Sequence, residues 1–275
     1  MASSNRIDSS KGGAVVRPRS APYTAGVGTE REVKIGEVTV TLELDSETEQ
    51  EGTRNYELWR ATTYETKEPD TMEWIRSRVR GGVLYDVGAN IGQYALYAAK
   101  LRRGELEVLA FEPEALNYAK LNRNIVRNGL AGAVLPYCLA VAGRTRLDRF
   151  YAKSFQPGAA LHALGRPVTQ GEVGFEPGNV QGMLAVSLDD LTGLLGAPFP
   201  NHMKIDVDGI EEEIVSGATK TLADPRLRSV LIEVYLYRGA AARIRERFES
   251  AGFRMVSPEA IASTDGIVQN LIFAR

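Results

Sequence analysis

One cysteine, two histidines, no long apolar run and no surplus of either charge mark this chain, and each shortage excludes a class of function. A lone thiol, Cys138, cannot pair within the chain, so a disulfide framework is excluded, as is zinc held by cysteines. That usage suits a reducing compartment, and a cytoplasmic location is expected. Cys138 lies in the apolar run VLPYCLAVA, where a free cysteine packs as a small buried hydrophobe. No stretch approaches the about 20 apolar residues that cross a bilayer, and no apolar signal-peptide core stands at the start, so no membrane partner is expected. A formal net charge of -2 lacks the basic footprint of a nucleic-acid binder, leaving small molecules or glycans as partners. The oligomeric state stays open. No internal repeat is present.

What the chain does have is length for one main domain, 275 residues with 44% hydrophobic side chains. Residues 1–30 mix Ser, Gly, Pro and Arg without an apolar period and read as a loose tail. Residues 31–80 read as a small annex: EVKIGEVTVTLEL alternates through Val33, Ile35, Val38, Val40 and Leu42 as a hairpin would, and Glu65 to Arg80 reads as a helix with Pro69 near its start. From 81 to 275 short apolar runs alternate with amphipathic helices, the pattern of a parallel sheet covered on both faces. Strands are expected at 83–88, 106–112, 134–141, 202–207 and 229–235, with helices at 91–101, 115–128, 209–223 and 239–251. FRMVSP and IVQNLIFAR follow too closely for a crossover and read as a final antiparallel pair. The fold class is therefore α/β and Rossmann-like, a seven-stranded, mostly parallel sheet with an antiparallel last strand. Residues 143–201 interrupt the rhythm; a structureless loop of that length is improbable, so a structured insertion serving as a lid is expected.

Three stretches carry chemistry. In VLYDVGANIGQYALYAAK a buried strand runs through Asp86, Gly88, Ala89, Asn90 and Gly92 into a helix whose first N–H groups face a ligand. A carboxylate at Asp86 suits a zwitterionic amino-acid group and would repel a pyrophosphate. The dinucleotide fingerprint would place glycine at 88, 90 and 93, yet 90 is Asn and 93 is Gln, so a nicotinamide cofactor is disfavoured. In VLAFEPEALNYAKLNRNI, Glu112 ends the second strand and is followed by Pro113; an acid there can accept both ribose hydroxyls. Its bland alternative is an N-terminal helix charge favoured by the macrodipole. In HMKIDVDGIEEEI, alternation sends Lys204, Asp206 and Asp208 to one face of an apolar strand, so Lys204 and Asp206 either neutralise each other or serve a ligand.

Together, DVGANIGQY, AFEPEALNYAKLNRNI, VSLDDL and MKIDVDGIEEEIVSGA resemble the FkbM family of S-adenosylmethionine-dependent methyltransferases, over roughly 80 to 275. The resemblance implies a class I methyltransferase fold, S-adenosylmethionine as cofactor and methyl transfer to an oxygen of a sugar or other small molecule. It also implies that Asp86, Gly88, Ala89, Asn90 and Gly92 surround the methionine part of the cofactor, Glu112 and Pro113 the ribose, and Ala140 and Val141 the adenine. Asp206 matches the family's acid beside the transferring methyl, as catalytic base or orienter. The family usually carries Glu where this chain has Asp208. His162, in the insertion, is a second catalytic candidate as a near-neutral base; a solvated surface histidine is its plain alternative. His202 is a weaker one. A divalent cation on Asp206 and Asp208 is conceivable, but two carboxylates are not diagnostic, and no metal is expected. A nicotinamide-dependent oxidoreductase and a non-catalytic nucleotide-binding module are the readings of other classes.

Overall fold

The structure, a computed structural model, describes residues 28–49, 54–168, 173–236, 239–257 and 268–275. The tail expected over 1–30 lies, up to residue 27, outside the described residues. The annex opens with strands β1 (Thr29–Ile35) and β2 (Val38–Leu44), an antiparallel hairpin whose apolar alternation buries Ile35, Val40, Leu42 and Leu44. Helices α1 (Tyr56–Thr62) and α2 (Pro69–Ser77) follow. α2 is shorter than the helix expected over Glu65–Arg80 because Pro69, with no N–H to donate, opens its first turn. α1 had no sequence forecast: seven residues are too few for an apolar period, and Asn55 starts it by accepting from the Leu58 N–H at 3.0 Å.

The central unit then runs β3 (Gly82–Val87), α3 (Gln93–Leu101), β4 (Leu106–Phe111), α4 (Ala115–Arg127) and β5 (Val134–Tyr137). The strand expected over 134–141 is broken: the chain leaves the sheet after Tyr137 and resumes as β6 (Ala140–Ala142) in a different sheet. Apolar side chains on both sides of the break hide it from the sequence. Cys138 sits at this joint and is exposed, which corrects the expectation of a buried thiol. The insertion is structured, with β7 (Arg146–Ala152), β8 (Ala163–Leu164) and β9 (Asn179–Ser187) joining β6 in a four-stranded sheet of order β6-β9-β7-β8. Next come α5 (Leu188–Gly193), β10 (His202–Ile205), α6 (Glu211–Ser216), α7 (Thr219–Ala223), β11 (Ser229–Tyr235), α8 (Ala240–Ser250), β12 (Arg254–Met255) and β13 (Val268–Ala274). The helix expected over 209–223 is two helices because Gly217 packs onto Gly143, where a Cβ would lie 2.4 Å from the Gly143 carbonyl oxygen.

The main sheet has seven strands in the order β12-β13-β11-β10-β3-β4-β5. β11, β10, β3, β4 and β5 are parallel, and β13 is antiparallel to β11, the Rossmann-like α/β arrangement expected. Each face buries its own core. On one side Leu84, Ala95, Leu96 and Leu121 pack with the hairpin and α2; on the other Tyr85, Val87, Ile205, Ile232 and Phe248 pack with α5 to α8. The hairpin thus shares a core with α3 and α4. Its outer edge is satisfied by α4 side chains, Asn128 Oδ1 accepting from Thr41 N–H and Asn124 Oδ1 from Glu43 N–H. No helix among the described residues is long and apolar enough to cross a membrane.

Candidate active site

The carboxyl ends of β10, β3 and β4 lie side by side and open into a cavity of about 1210 Å³, the place where open α/β sheets take ligands. α1, α2 and the insertion complete its walls. The turn after β3 explains its own residues. Gly88 has φ +84, and a Cβ there would lie 1.8 Å from the Asp206 carbonyl oxygen, so glycine is required by the neighbouring strand as much as by any ligand. Asn90 takes φ 51, a conformation asparagine tolerates, and its side chain donates to the Ala159 carbonyl at 2.8 Å while accepting from Ile91 N–H at 2.9 Å. Gly92, φ +95, faces Leu121 of α4 rather than the cavity.

Glu112, just beyond β4, accepts Asn90 N–H on one oxygen at 2.7 Å and Glu114 N–H on the other at 2.8 Å. Each oxygen keeps a lone pair for another donor. Burial pushes the carboxyl up to about 7 despite those bonds. Ala89, Pro113, Ala140 and Val141 line the cavity with it, the last two arriving on β6.

Asp86 is elsewhere. β3 extends through Val87, so the pleat turns Asp86 toward the α3 side, 1% exposed and behind the cavity wall. Its sheet neighbour is Lys204, and neither carboxylate oxygen has a hydrogen-bond partner among the described residues. Burial pushes it up to about 6.

Lys204 Nζ pairs with Asp206 Oδ2 at 2.6 Å and lies 4.9 Å from the Tyr94 ring centroid. Neutralisation and ligand service are compatible here, because Asp206 also lines the cavity. Glu68 from the start of α2 and Glu233 of β11 crowd the same spot, their carboxylates within 4.8 Å of Asp206 and of one another. Burial works against ionisation of Asp206, but Lys204 and Lys67 outweigh it and hold the carboxyl down at about 2. Glu233, by burial and then by the charges of Asp206 and Glu68, is pushed up to about 10 and keeps its proton. A cation would find its carboxylates in Glu68, Asp206 and Glu233 rather than in Asp206 and Asp208, but Lys204 and Lys67 already bring two positive charges to that group.

Asp208, φ 66, reaches across to the insertion, its Oδ2 accepting Leu161 N–H at 2.6 Å. Burial, then the charge of Asp206, pushes it up to about 6. His162 is buried rather than solvated and lines the cavity, T-stacked on Phe150 at 5.7 Å. Burial lowers it to about 4, so the ring is neutral near pH 7. Its Nδ1 accepts Lys153 N–H at 3.1 Å, which assigns the proton to Nε2 and makes that edge a donor. His202 lies at the opposite end of β10, bonded to Ser229 Oγ at 2.7 Å and away from the cavity.

Several wall residues had no sequence signal: Trp59 and Arg60 of α1, Lys67 and Glu68 before α2, all preceding the recognisable motifs. Glu233 could have been found, as the one charge inside the apolar strand SVLIEVY.

The sequence model of the methyltransferase FkbM domain matches residues 86–255. Among curated proteins, the 31-O-demethyl-FK506 methyltransferase FkbM of Streptomyces tacrolimicus is 31% identical over 203 residues, covering 65% of this chain and 75% of that protein. The hexuronic acid methyltransferase AglP of Haloferax volcanii is 26% identical over 180 residues, covering 65% and 66%. Among solved structures, methyltransferase FkbM from Methylobacillus flagellatus KT superposes with a TM-score of 0.51 at 14% identity, a likeness of fold. It covers 81% of this chain, which spans 56% of that longer one.

Proposed function

The chain belongs to the FkbM family of methyltransferases, and from that premise we propose that it moves the methyl group of S-adenosylmethionine onto a hydroxyl of a sugar or another small natural-product acceptor. The observation that carries the cofactor reading is Glu112: a buried carboxylate fixed by two backbone N–H groups, with lone pairs left for the two hydroxyls of a ribose. The other wall residues fit the same molecule. Pro113, Ala140 and Val141 give the adenosine end an apolar bed, and Gly88, Ala89 and Asn90 line the wall at the amino-acid end. S-adenosylmethionine supplies a sulfonium methyl with a good leaving group.

What the chain itself must do is hold the acceptor oxygen in line, keep water out and take a proton. Asp206, ionised and anchored by Lys204, serves as orienter; a carboxylate held near 2 is a feeble base. Asp208 is the better base. It lines the cavity, its raised carboxyl is closer to neutrality, and its bond to Leu161 N–H leaves a second oxygen for the acceptor hydroxyl. His162, neutral and with its Nε2 buried, shapes the cavity wall through its ring. The insertion supplies one wall of the site, Ala159 to Leu164 among its lining residues.

Calorimetric titration of the purified chain with S-adenosylhomocysteine tests the reading, with a nicotinamide dinucleotide as control. Micromolar binding that is lost in Glu112→Ala, with no response to the dinucleotide, is the expected result. A folded wild type that ignores S-adenosylhomocysteine would overturn it.

A further inference from the structure

Arg60 is a buried guanidinium with no direct ion pair among the described residues; the carboxylates of Asp206 and Asp208 feel its charge from farther off. It is 6% exposed and lines the cavity, yet its hydrogen bonds go to neutral oxygens: Nε donates to the Gly158 carbonyl at 2.6 Å and Nη1 to Gln93 Oε1 at 3.2 Å. No carboxylate pairs with it among the described residues, and its Nη2 has no partner there. The group is held rigidly all the same. Gln93 Nε2 donates back to the Arg60 carbonyl at 2.9 Å, and Glu57, Arg60 and Ala61 form the buried face of α1. Burying a cation is costly unless an anion meets it, and a fork clamped through Nε and one Nη1 hydrogen presents its remaining N–H groups to whatever enters the cavity.

Position says which anion. Gln93 is the first residue of α3, directly after the Gly88–Gly92 turn, and Glu112 holds the middle of that turn through Asn90 N–H. A ligand with its ribose on Glu112 and its amino-acid end beside Gly88 brings that end toward Gln93 and Arg60. Of the other cations at that end, Lys204 is engaged by Asp206 and Lys67 by Glu68, while Arg54 is exposed and stacks over the Trp59 ring, so Arg60 is the buried one. The positive N-terminus of α3 favours a negative group at the same place. We propose that Arg60 binds the carboxylate of the methionine part of S-adenosylmethionine, and so that α1, which precedes the family-matched residues 86–255, supplies part of the cofactor site. This rests on the cofactor reading above.

The test pairs a deletion in the ligand with a deletion in the protein. S-adenosylhomocysteine and its decarboxylated analogue, S-adenosyl-3-thiopropylamine, are titrated into the wild type, Arg60→Gln and Arg60→Lys. The wild type is expected to prefer S-adenosylhomocysteine by about tenfold or more, the range of a charge-assisted pair. Arg60→Gln should erase most of that preference while binding the decarboxylated compound about as the wild type does, and Arg60→Lys should keep part of it. An unchanged preference in Arg60→Gln overturns the proposal, as does a wild type with no preference. Should Arg60→Gln fail to fold, the charge-retaining Arg60→Lys decides in the same way, an undiminished preference counting against the contact. A wild type that binds neither compound is a different outcome, the failure of the cofactor reading itself.

Discussion

Gly88 and Asp206 are in contact through backbone alone, and this contact sets the distance between the two strands that frame the site. A methyl at Gly88 would lie 1.8 Å from a carbonyl oxygen in a conformation that alanine resists. Gly88→Ala should therefore cost about 4 kcal/mol or more and yield little folded protein, read by thermal melting; a near-normal melting temperature would show that the strands can part. Asp208 permits a gentler experiment. Its raised carboxyl acts only once ionised, so activity should rise with pH through about 6 or somewhat lower when a sulfonium is bound nearby. Asp208→Asn keeps an oxygen for Leu161 N–H but cannot take a proton, and turnover should fall roughly a hundred- to ten-thousand-fold with loss of the acid limb in the pH–rate profile. An intact acid limb in the variant would move the base elsewhere.

The segment around 158–161 belongs to the insertion, yet it is pinned by α4 and by the turn after β3. Asn117, fully buried on α4, accepts Gly158 N–H at 2.7 Å and donates to the Ala159 carbonyl at 3.1 Å, where Asn90 also donates. Asn117→Ala should cost about 1–3 kcal/mol by stranding those groups, and amide exchange at Gly158 should quicken far more than in the main sheet. Equal protection in variant and wild type would mean that the segment is held from its other side, by Arg60 and Asp208. The insertion was legible from the sequence as a length of chain; its fastening was not, because it depends on side chains from Asn90, Asn117 and Asp208 that meet only in the fold. The strands of the main sheet were legible, since each is an apolar run bounded by turn residues. The break at Cys138 was not, having apolar neighbours on both sides, and Asp86 was placed one pleat out because the end of β3 cannot be fixed to a residue from pattern alone. Glu112, Gly88 and Asp206 stood out because each occupies the carboxyl end of a strand, the one location in such a sheet that topology assigns to ligands.

At the scale of the whole molecule, several buried acids among the described residues are pushed toward keeping their protons. Glu112 and Glu211, pushed by burial to about 7, and Glu233, at about 10, hold protons in the folded chain at a pH where the unfolded chain has released them. Their contribution to stability is thus largest at low pH and fades as pH rises through these values. His162 and His202, lowered to about 4, act in the opposite sense, but only below the ordinary histidine range. From pH 7 to 9 the acids act in one direction, joined toward pH 9 by the raised Cys138 thiol in the same sense, so the melting temperature of the ligand-free protein should fall, with a limiting slope of ~1.4 kcal/mol per pH unit for each proton. Glu233→Gln should flatten that decline, and an unaltered slope would exclude Glu233 as its source. The joint between the two sheets has a practical side. Its exposed Cys138 carries the chain's one thiol, with Sγ 3.9 Å from the carbonyl of Pro113 at the rim of the proposed adenosine bed. An environment-sensitive dye attached there needs no cysteine engineered in or out, and would turn the protein into its own optical reporter of nucleoside occupancy; partial burial of the sulfur and the nearby Glu112 raise the thiol's pKa, so labelling is best carried out in mildly alkaline buffer.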